Sequence, residues 1–353
     1  MKLTRKLGAV ALAAVLTLGP AGPAGANQGT RAPKVVGHGL DNPRGLTWGP
    51  DDTLLVAEAG RGGQGKCVGG VFTGNPMCFG RSGAVTQIKR NGEQRRIVTG
   101  LPSIAESGTG TFAFGPSDVS AGNGDMYVSV GGPGPQLDRS VFRDRAASTL
   151  GTVQRVSHGR KNLIADLAAY ELANDPDAQL HESNPTSVLR VRGVTFAIDA
   201  AGNTFFSINR SGDLTLLKTF ENRSINGTTY QAVPTALAEG PDGAIYISDL
   251  TGVPFPSGES KVWRWTPAGM TVFAEGFTTA TDLAFGPDGS LYVLEIFPGR
   301  VTRLSPDGSR DVVIDTDAGL TLPYGIAIGR DGSIYVTNCG NCQGTGSVLR
   351  FRG

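Results

Sequence analysis

One phrase recurs along this chain, and its spacing fixes the architecture. Residues 281–295 (TDLAFGPDGSLYVLE) read as an apolar strand, a Gly-Pro-Asp-Gly turn and a second strand with alternating Tyr and Val. Gly and Asp supply the backbone geometry that joins two antiparallel strands. Related phrases stand at 42–60, 116–130, 184–199, 233–249 and 323–338. The turn glycines Gly193, Gly243, Gly289 and Gly332 are 50, 46 and 43 residues apart. A period in the forties with four strands per unit is that of propeller blades, whereas β-solenoid turns repeat at much shorter intervals.

The expected fold is therefore all-β: a six-bladed β-propeller with four antiparallel strands per blade. Two further strands follow most hairpins, at 84–88 and 96–98, 204–209 and 214–220, 261–265 and 270–274, and 300–304 and 311–314. Unit two resumes with a strand at 151–156. Leu163, Ile164, Leu167, Ala168 and Leu172 then recur at helical spacing, which predicts a helical insertion over 162–173, stopped by Asp175-Pro176. Unit six has only three strands before the chain stops. The apolar pair Val35-Val36 near the start is predicted to supply the fourth and close the ring, which removes exposed strand edges.

Residues 1–26 read as an export signal. Lys2, Arg5 and Lys6 form a basic start, 7–18 an apolar core, and Ala24-Gly25-Ala26 a small-residue cleavage site. Residues 27–32 form a flexible linker and 33–353 a single propeller domain. The apolar run is too short to span a bilayer comfortably. The mature chain is expected to be secreted, extracellular and monomeric. Beyond residue 26, 29 Lys and Arg face 31 Asp and Glu, a formal charge of −2, which lacks the electrostatic footprint of a nucleic-acid binder. Four Cys in an exported chain argue for two disulfides, and of the three pairings the local ones, Cys67 with Cys78 and Cys339 with Cys342, are favoured. A redox role for the C-x-x-C is disfavoured because Gly340 and Asn341 lie in a strand-to-strand loop.

Two columns of residues carry the candidate chemistry. The second strands end at Glu58, Val130, Asp199, Asp249, Glu295 and Asn338. Such a ring of oxygens suits a hard cation such as calcium, or else each side chain accepts backbone N–H groups of an adjacent loop. The second column precedes each inner strand: Arg44, Ser117, Thr186, Thr235, Thr281 and Tyr324, with Asp118 and Asp282 one residue on. An Arg at the channel mouth disfavours a cation and suits an anionic or aromatic ligand, unless it pairs with an acid such as Glu58. His38, His158 and His181 are the only His, and none stands in a nucleophile or metal-spacing context. The Gly-rich stretch 60–70 lacks the helix and Lys of a phosphate cradle.

The chain resembles the ScyD/ScyE family of exported bacterial proteins. The likeness rests on NPRGL (42–46), VAEAG (56–60), LPS (101–103), ADLAAYE (165–171), SNP (183–185), LTGVPFP (250–256) and the hairpin at 282–295. It implies an exported NHL-like propeller and carries over no catalytic residues. Unit three departs from it, with Thr186-Ser187 where an aromatic-Gly pair is usual. The expected function is a non-catalytic module without a cofactor, binding a protein or small molecule on the loop-rich face formed by 60–80, 131–149 and 255–260. The alternative is an enzyme at the central channel, either a calcium-dependent lactonase-like hydrolase or a quinone-dependent sugar dehydrogenase-like protein. The candidate ligand-binding residues are Arg44, Glu58, Asp118, Asp249, Asp282, Glu295, Tyr324 and Asn338.

Overall fold

The computed structural model describes residues 32–70, 74–132 and 138–352. The expected leader, 1–26, and the linker up to residue 31 lie outside them. Six antiparallel sheets stand in sequence order around an axis. Their innermost strands are Pro43–Trp48, Pro116–Gly122, Pro185–Val191, Pro234–Glu239, Ala280–Phe285 and Ile326–Ile328. Each packs against the next, and the sixth packs against the first, so the ring is closed.

The latch is the predicted one. Lys34–Leu40 pairs antiparallel with Gly346–Phe351, with Val35 opposite Leu349 and Gly37 opposite Val348. Blade six is thus built from both ends of the chain, in the order Ile326–Ile328, Ile334–Asn338, Gly346–Phe351, Lys34–Leu40. Every blade has its four strands. Blade one adds a short strand, Cys67–Val68, which sets Cys67 directly opposite Cys78. The disulfides are the local ones, Cys67–Cys78 and Cys339–Cys342.

The repeated turn has one construction. In blade five Gly286 N–H donates to Ser290 O at 2.8 Å, Gly289 N–H donates to Gly286 O at 3.0 Å, and the Asp288 carboxylate accepts Ser290 N–H at 3.0 Å. Gly289 has φ 79°, a left-handed conformation that favours glycine. Gly243 and Gly332 repeat it in blades four and six. The second strands carry the inter-blade core: the Tyr246 ring meets Phe285 of the next blade edge-on at 4.8 Å, and Tyr335 meets Trp48 of blade one at 5.2 Å.

Blade two corrects the expected helix. Arg160–Asp166 is its outer strand, and the helix covers only Leu167–Asn174. His158 and Gly159 both have positive φ, 49° and 76°, and turn the chain straight back along Thr152–Ser157. Leu163 is half exposed, as an outer strand permits, so its helical spacing with Leu167 is coincidental. Asp166 caps the true helix by accepting Ala169 N–H at 2.9 Å, and Asp175 ends it in the left-handed region. Among the described residues no helix is long and apolar enough to cross a membrane.

Candidate functional site at the channel mouth

The inner strands enter the channel the same way. Four begin with proline, which has no N–H to give a ladder and is tolerated at a first strand residue. The register then slips in five of the six, between Pro43 and Leu46, Pro116 and Asp118, Pro185 and Ser187, Pro234 and Ala236, and Ala280 and Asp282. A bulge bends the strand and re-aims the side chains beside it.

Side chains at these bulges, and Thr337 in blade six, tie blades together at five of the six junctions. The Asp118 carboxylate accepts Ser187 Oγ–H at 2.8 Å and Val188 N–H at 3.1 Å from blade three. Ser187 Oγ accepts Leu237 N–H of blade four at 3.2 Å, and Thr235 Oγ1 donates to Ala280 O of blade five at 3.0 Å. Asp282 accepts Ile326 N–H of blade six at 2.8 Å. The sixth blade returns to the first through Thr337 Oγ1, which donates to Arg44 O at 2.8 Å. Thr337 was not singled out in the sequence, and Ser187 was noted there only as a departure from the family pattern. Their only signal there is a small hydroxyl one residue from a ring position.

Asp118 and Asp282 stand in blades two and five of the ring, and Asp282 senses the Asp118 charge. Burial pushes the Asp118 carboxyl up to about 6, against the pull of its hydrogen-bond donors. Burial and then the Asp118 charge push Asp282 well above the usual carboxylate range. Both keep partial solvent contact through the lumen. The Asp118 side chain fits only because Gly45 faces it, since a Cβ there would lie 2.2 Å from Oδ1.

Arg44 and Tyr324 meet at the rim. The guanidinium lies 3.9 Å from the Tyr324 ring centroid, and one Nη donates to Ala113 O at 2.9 Å. Tyr324 is backed by the Cys339–Cys342 loop, where a Cβ on Gly340 would fall 2.0 Å from the ring. That loop also reaches blade one: Asn42 N–H donates to Cys342 O at 2.8 Å, and Phe112 N–H donates to Asn341 Oδ1.

The column at the second-strand ends places an acid in blades one, three, four and five, Asn338 in blade six and Val130 in blade two. Glu58 is fully buried and accepts Asp41 N–H at 2.7 Å, Arg96 Nε and Nη2 at 2.9 and 2.7 Å, and Thr86 Oγ1–H. Its cation is Arg96, not Arg44. Glu295 accepts Thr278 N–H at 2.6 Å, Arg300 Nε and Nη2 at 2.7 and 2.8 Å, and Thr302 Oγ1–H at 2.9 Å. Asp249 accepts Lys261 N–H at 2.9 Å and Trp263 Nε1–H at 2.6 Å, with Arg223 Nη2 at 3.0 Å. Burial pushes its carboxyl up and the Arg223 charge opposes this. Asp199 accepts Asn184 N–H at 2.7 Å and Ser183 Oγ–H at 2.5 Å, and Asn338 accepts Thr321 N–H at 2.6 Å. Each therefore holds nearby backbone, at a loop for Glu58, Asp199, Glu295 and Asn338 and at the third strand of blade four for Asp249. The structure brings Arg44 and Tyr324 into contact and couples Asp118 to Asp282, whereas Glu58, Asp249, Glu295 and Asn338 each serve their own blade.

No protein-family model matches the chain, and no curated protein matches it in sequence. Solved structures do match in shape. A gluconolactonase from Xanthomonas campestris superposes with TM-score 0.52 at 13% identity, covering 95% of this chain and 99% of its own. A glucose dehydrogenase-like protein from Thermus thermophilus gives TM-score 0.53 at 17% identity, with 92% and 100% covered. A protein of unknown function from Bacteroides thetaiotaomicron gives 0.54 at 14%, with 89% and 70% covered. The likeness is one of fold. At these identities it transfers no activity.

Proposed function

We propose that this chain is an exported, non-catalytic binding propeller of the ScyD/ScyE kind, whose channel mouth takes a ligand bearing a planar anionic or aromatic group. The observation that carries the reading is the Arg44–Tyr324 pair. Among the described residues Arg44 has no carboxylate partner. Its charge is met by the Tyr324 ring and one carbonyl, which leaves a fork of N–H donors for a ligand. In this reading the acids at Glu58, Asp249 and Glu295 anchor nearby backbone.

The test is a calorimetric titration of the purified mature protein with benzoate as reference probe, then a panel of aromatic and sugar carboxylates. Saturable binding that falls at least tenfold in Arg44→Lys and in Tyr324→Ala supports the reading. Absence of binding across the panel, or binding indifferent to both variants, overturns it. Recovery of the chain from the medium with a new N-terminus after Ala26 tests export.

A second reading is favoured by one observation. Asp118 is pushed up to about 6, and a carboxyl in that range can act as general acid near neutral pH. The gluconolactonase that shares the fold suggests the assay. Turnover of a sugar lactone that is lost in Asp118→Asn would replace the binding reading with a hydrolytic one.

A further inference from the structure

The connection from blade two to blade three holds more carboxylate than its hydrogen bonds absorb. Helix Leu167–Asn174 ends at Asp175, whose N–H donates to Glu171 O at 2.9 Å. Four residues apart, Glu171 and Asp175 share one side of the helix end, and Asp177 follows two residues on. One carboxylate oxygen from each of the three lies within 4.8 Å of the other two. A helix C-terminus carries the negative end of its dipole and favours cations. Three acids there add to the negative end and strengthen that preference.

Glu171 is the telling member. It is only 2% exposed, and its Oε1 has no hydrogen-bond partner. Its Oε2 rests over Gly202, where a Cβ would come within 2.8 Å. A buried carboxylate left without a partner is costly. Burial, and then the charges of Asp199, Asp177 and Asp175, push its carboxyl up to about 8. The other two acids are held in place. Asp177 Oδ2 accepts Asn203 Nδ2–H at 2.8 Å and Gln179 Nε2–H at 3.1 Å, and Gln179 N–H lies 3.2 Å from both Asp175 Oδ1 and Asp177 Oδ1. Carboxylate oxygens have more lone pairs than these bonds use. Among the described residues the one basic side chain paired with the cluster is His181, with Nε2 3.3 Å from Asp175 Oδ2.

We propose that Glu171, Asp175 and Asp177 form a binding site for a hard divalent cation, with calcium the best fit. Three carboxylate oxygens within 4.8 Å of one another are close enough to share one ion, and calcium accepts such a flexible, irregular oxygen set, whereas magnesium demands a near-ideal octahedron and dehydrates reluctantly. A cleft of about 600 Å³ lined by Asp177, Gln179, Phe220 and Asn222 lies alongside and admits the waters that would complete the coordination. The bound ion would neutralise the orphaned Glu171 oxygen and lock the helix end to the loop that leads into Pro185–Val191. The site is distinct from Arg44 and Tyr324, so neither proposal depends on the other.

The experiment uses the full mature chain stripped with EDTA. Calorimetry with CaCl2 is expected to give one calcium per chain, and thermal unfolding a rise of several degrees in millimolar calcium. Glu171→Gln is expected to weaken binding at least tenfold, and in EDTA to match or exceed the wild-type melting temperature, because a neutral amide replaces a buried acid group whose Oε1 has no hydrogen-bond partner. Asp177→Asn, which can keep an oxygen acceptor toward Gln179 and Asn203, is expected to weaken calcium binding comparably. A wild-type chain with neither heat nor thermal shift overturns the assignment. So does calcium binding that survives in both variants.

Discussion

The Thr337 hydroxyl of blade six donates to the Arg44 carbonyl of blade one at 2.8 Å, across 293 residues of chain. The same oxygen accepts Gly325 N–H at 2.7 Å, and the residue is fully buried. Thr337→Val keeps the shape but strands a donor and an acceptor at the seam of the ring. The expected loss is about 1–3 kcal/mol in denaturant unfolding. A loss no larger than that of an exposed Thr→Val control would show that the seam is held by strand pairing alone.

Asp118 should leave a mark on the pH profile. Its folded pKa is raised from 3.8 to about 6, so the folded state holds the proton more tightly than the unfolded chain. Its contribution to stability is therefore greatest below about pH 4, falls as pH rises toward 6, and is flat above. Asp118→Asn should reduce the fall between pH 4 and 7 by about 1–3 kcal/mol. Removing that charge should also lower the Asp282 titration, since the Asp118 charge helps raise it. Parallel wild-type and variant curves of stability against pH would count against this electrostatic picture.

Glu58 and Arg96 form a test of the anchor role. Arg96→Met leaves a fully buried carboxylate with its Asp41 and Thr86 donors but no cation. A loss of about 1.5–3 kcal/mol is expected. Arg300→Met should do the same to Glu295 in blade five. Double-mutant cycles with Glu58→Gln and Glu295→Gln read the pairwise energies directly. Coupling near zero in both cycles would mean that the backbone donors alone satisfy these acids.

Gly45 gives the steric counterpart. A methyl group there would meet Asp118 Oδ1 at 2.2 Å and Asp118 Cα at 2.9 Å, so Gly45→Ala forces the first two inner strands apart. A cost of about 1–3 kcal/mol is expected from overpacking. Gly69→Ala, with nothing near its added carbon, is the neutral control. Equal melting temperatures for the two variants would contradict the close approach at the channel.

Much of this was readable from residues alone, and the exceptions have a common cause. The hairpins, the blade count, the latch at Val35 and the local disulfides follow from signals carried within a few residues or repeated at a fixed period. The outer strand of blade two escaped because Leu163, Ile164 and Leu167 happen to fit a helix, while the turn at His158-Gly159 that overrides the pattern is only two residues long. The partners of the ring acids escaped for another reason. Arg96 comes from a fourth strand, Arg300 from a third, and Arg223 from a hairpin between blades. One task filled from three different places leaves no constant offset to find. Glu171, Asp175 and Asp177 were passed over because Glu171 lay within the expected helix, Asp175 was read as its stop, and Asp177 stood in no repeated column.

Because Lys34 and Arg350 sit side by side in one sheet, the first and last strands of the ring meet in a single splice. Joining them with a short linker and cutting instead between two other blades should give a rearranged molecule with the same circular form. The order in which the blades are translated is then a matter of history, and where the clasp lies is a choice the ring itself does not dictate.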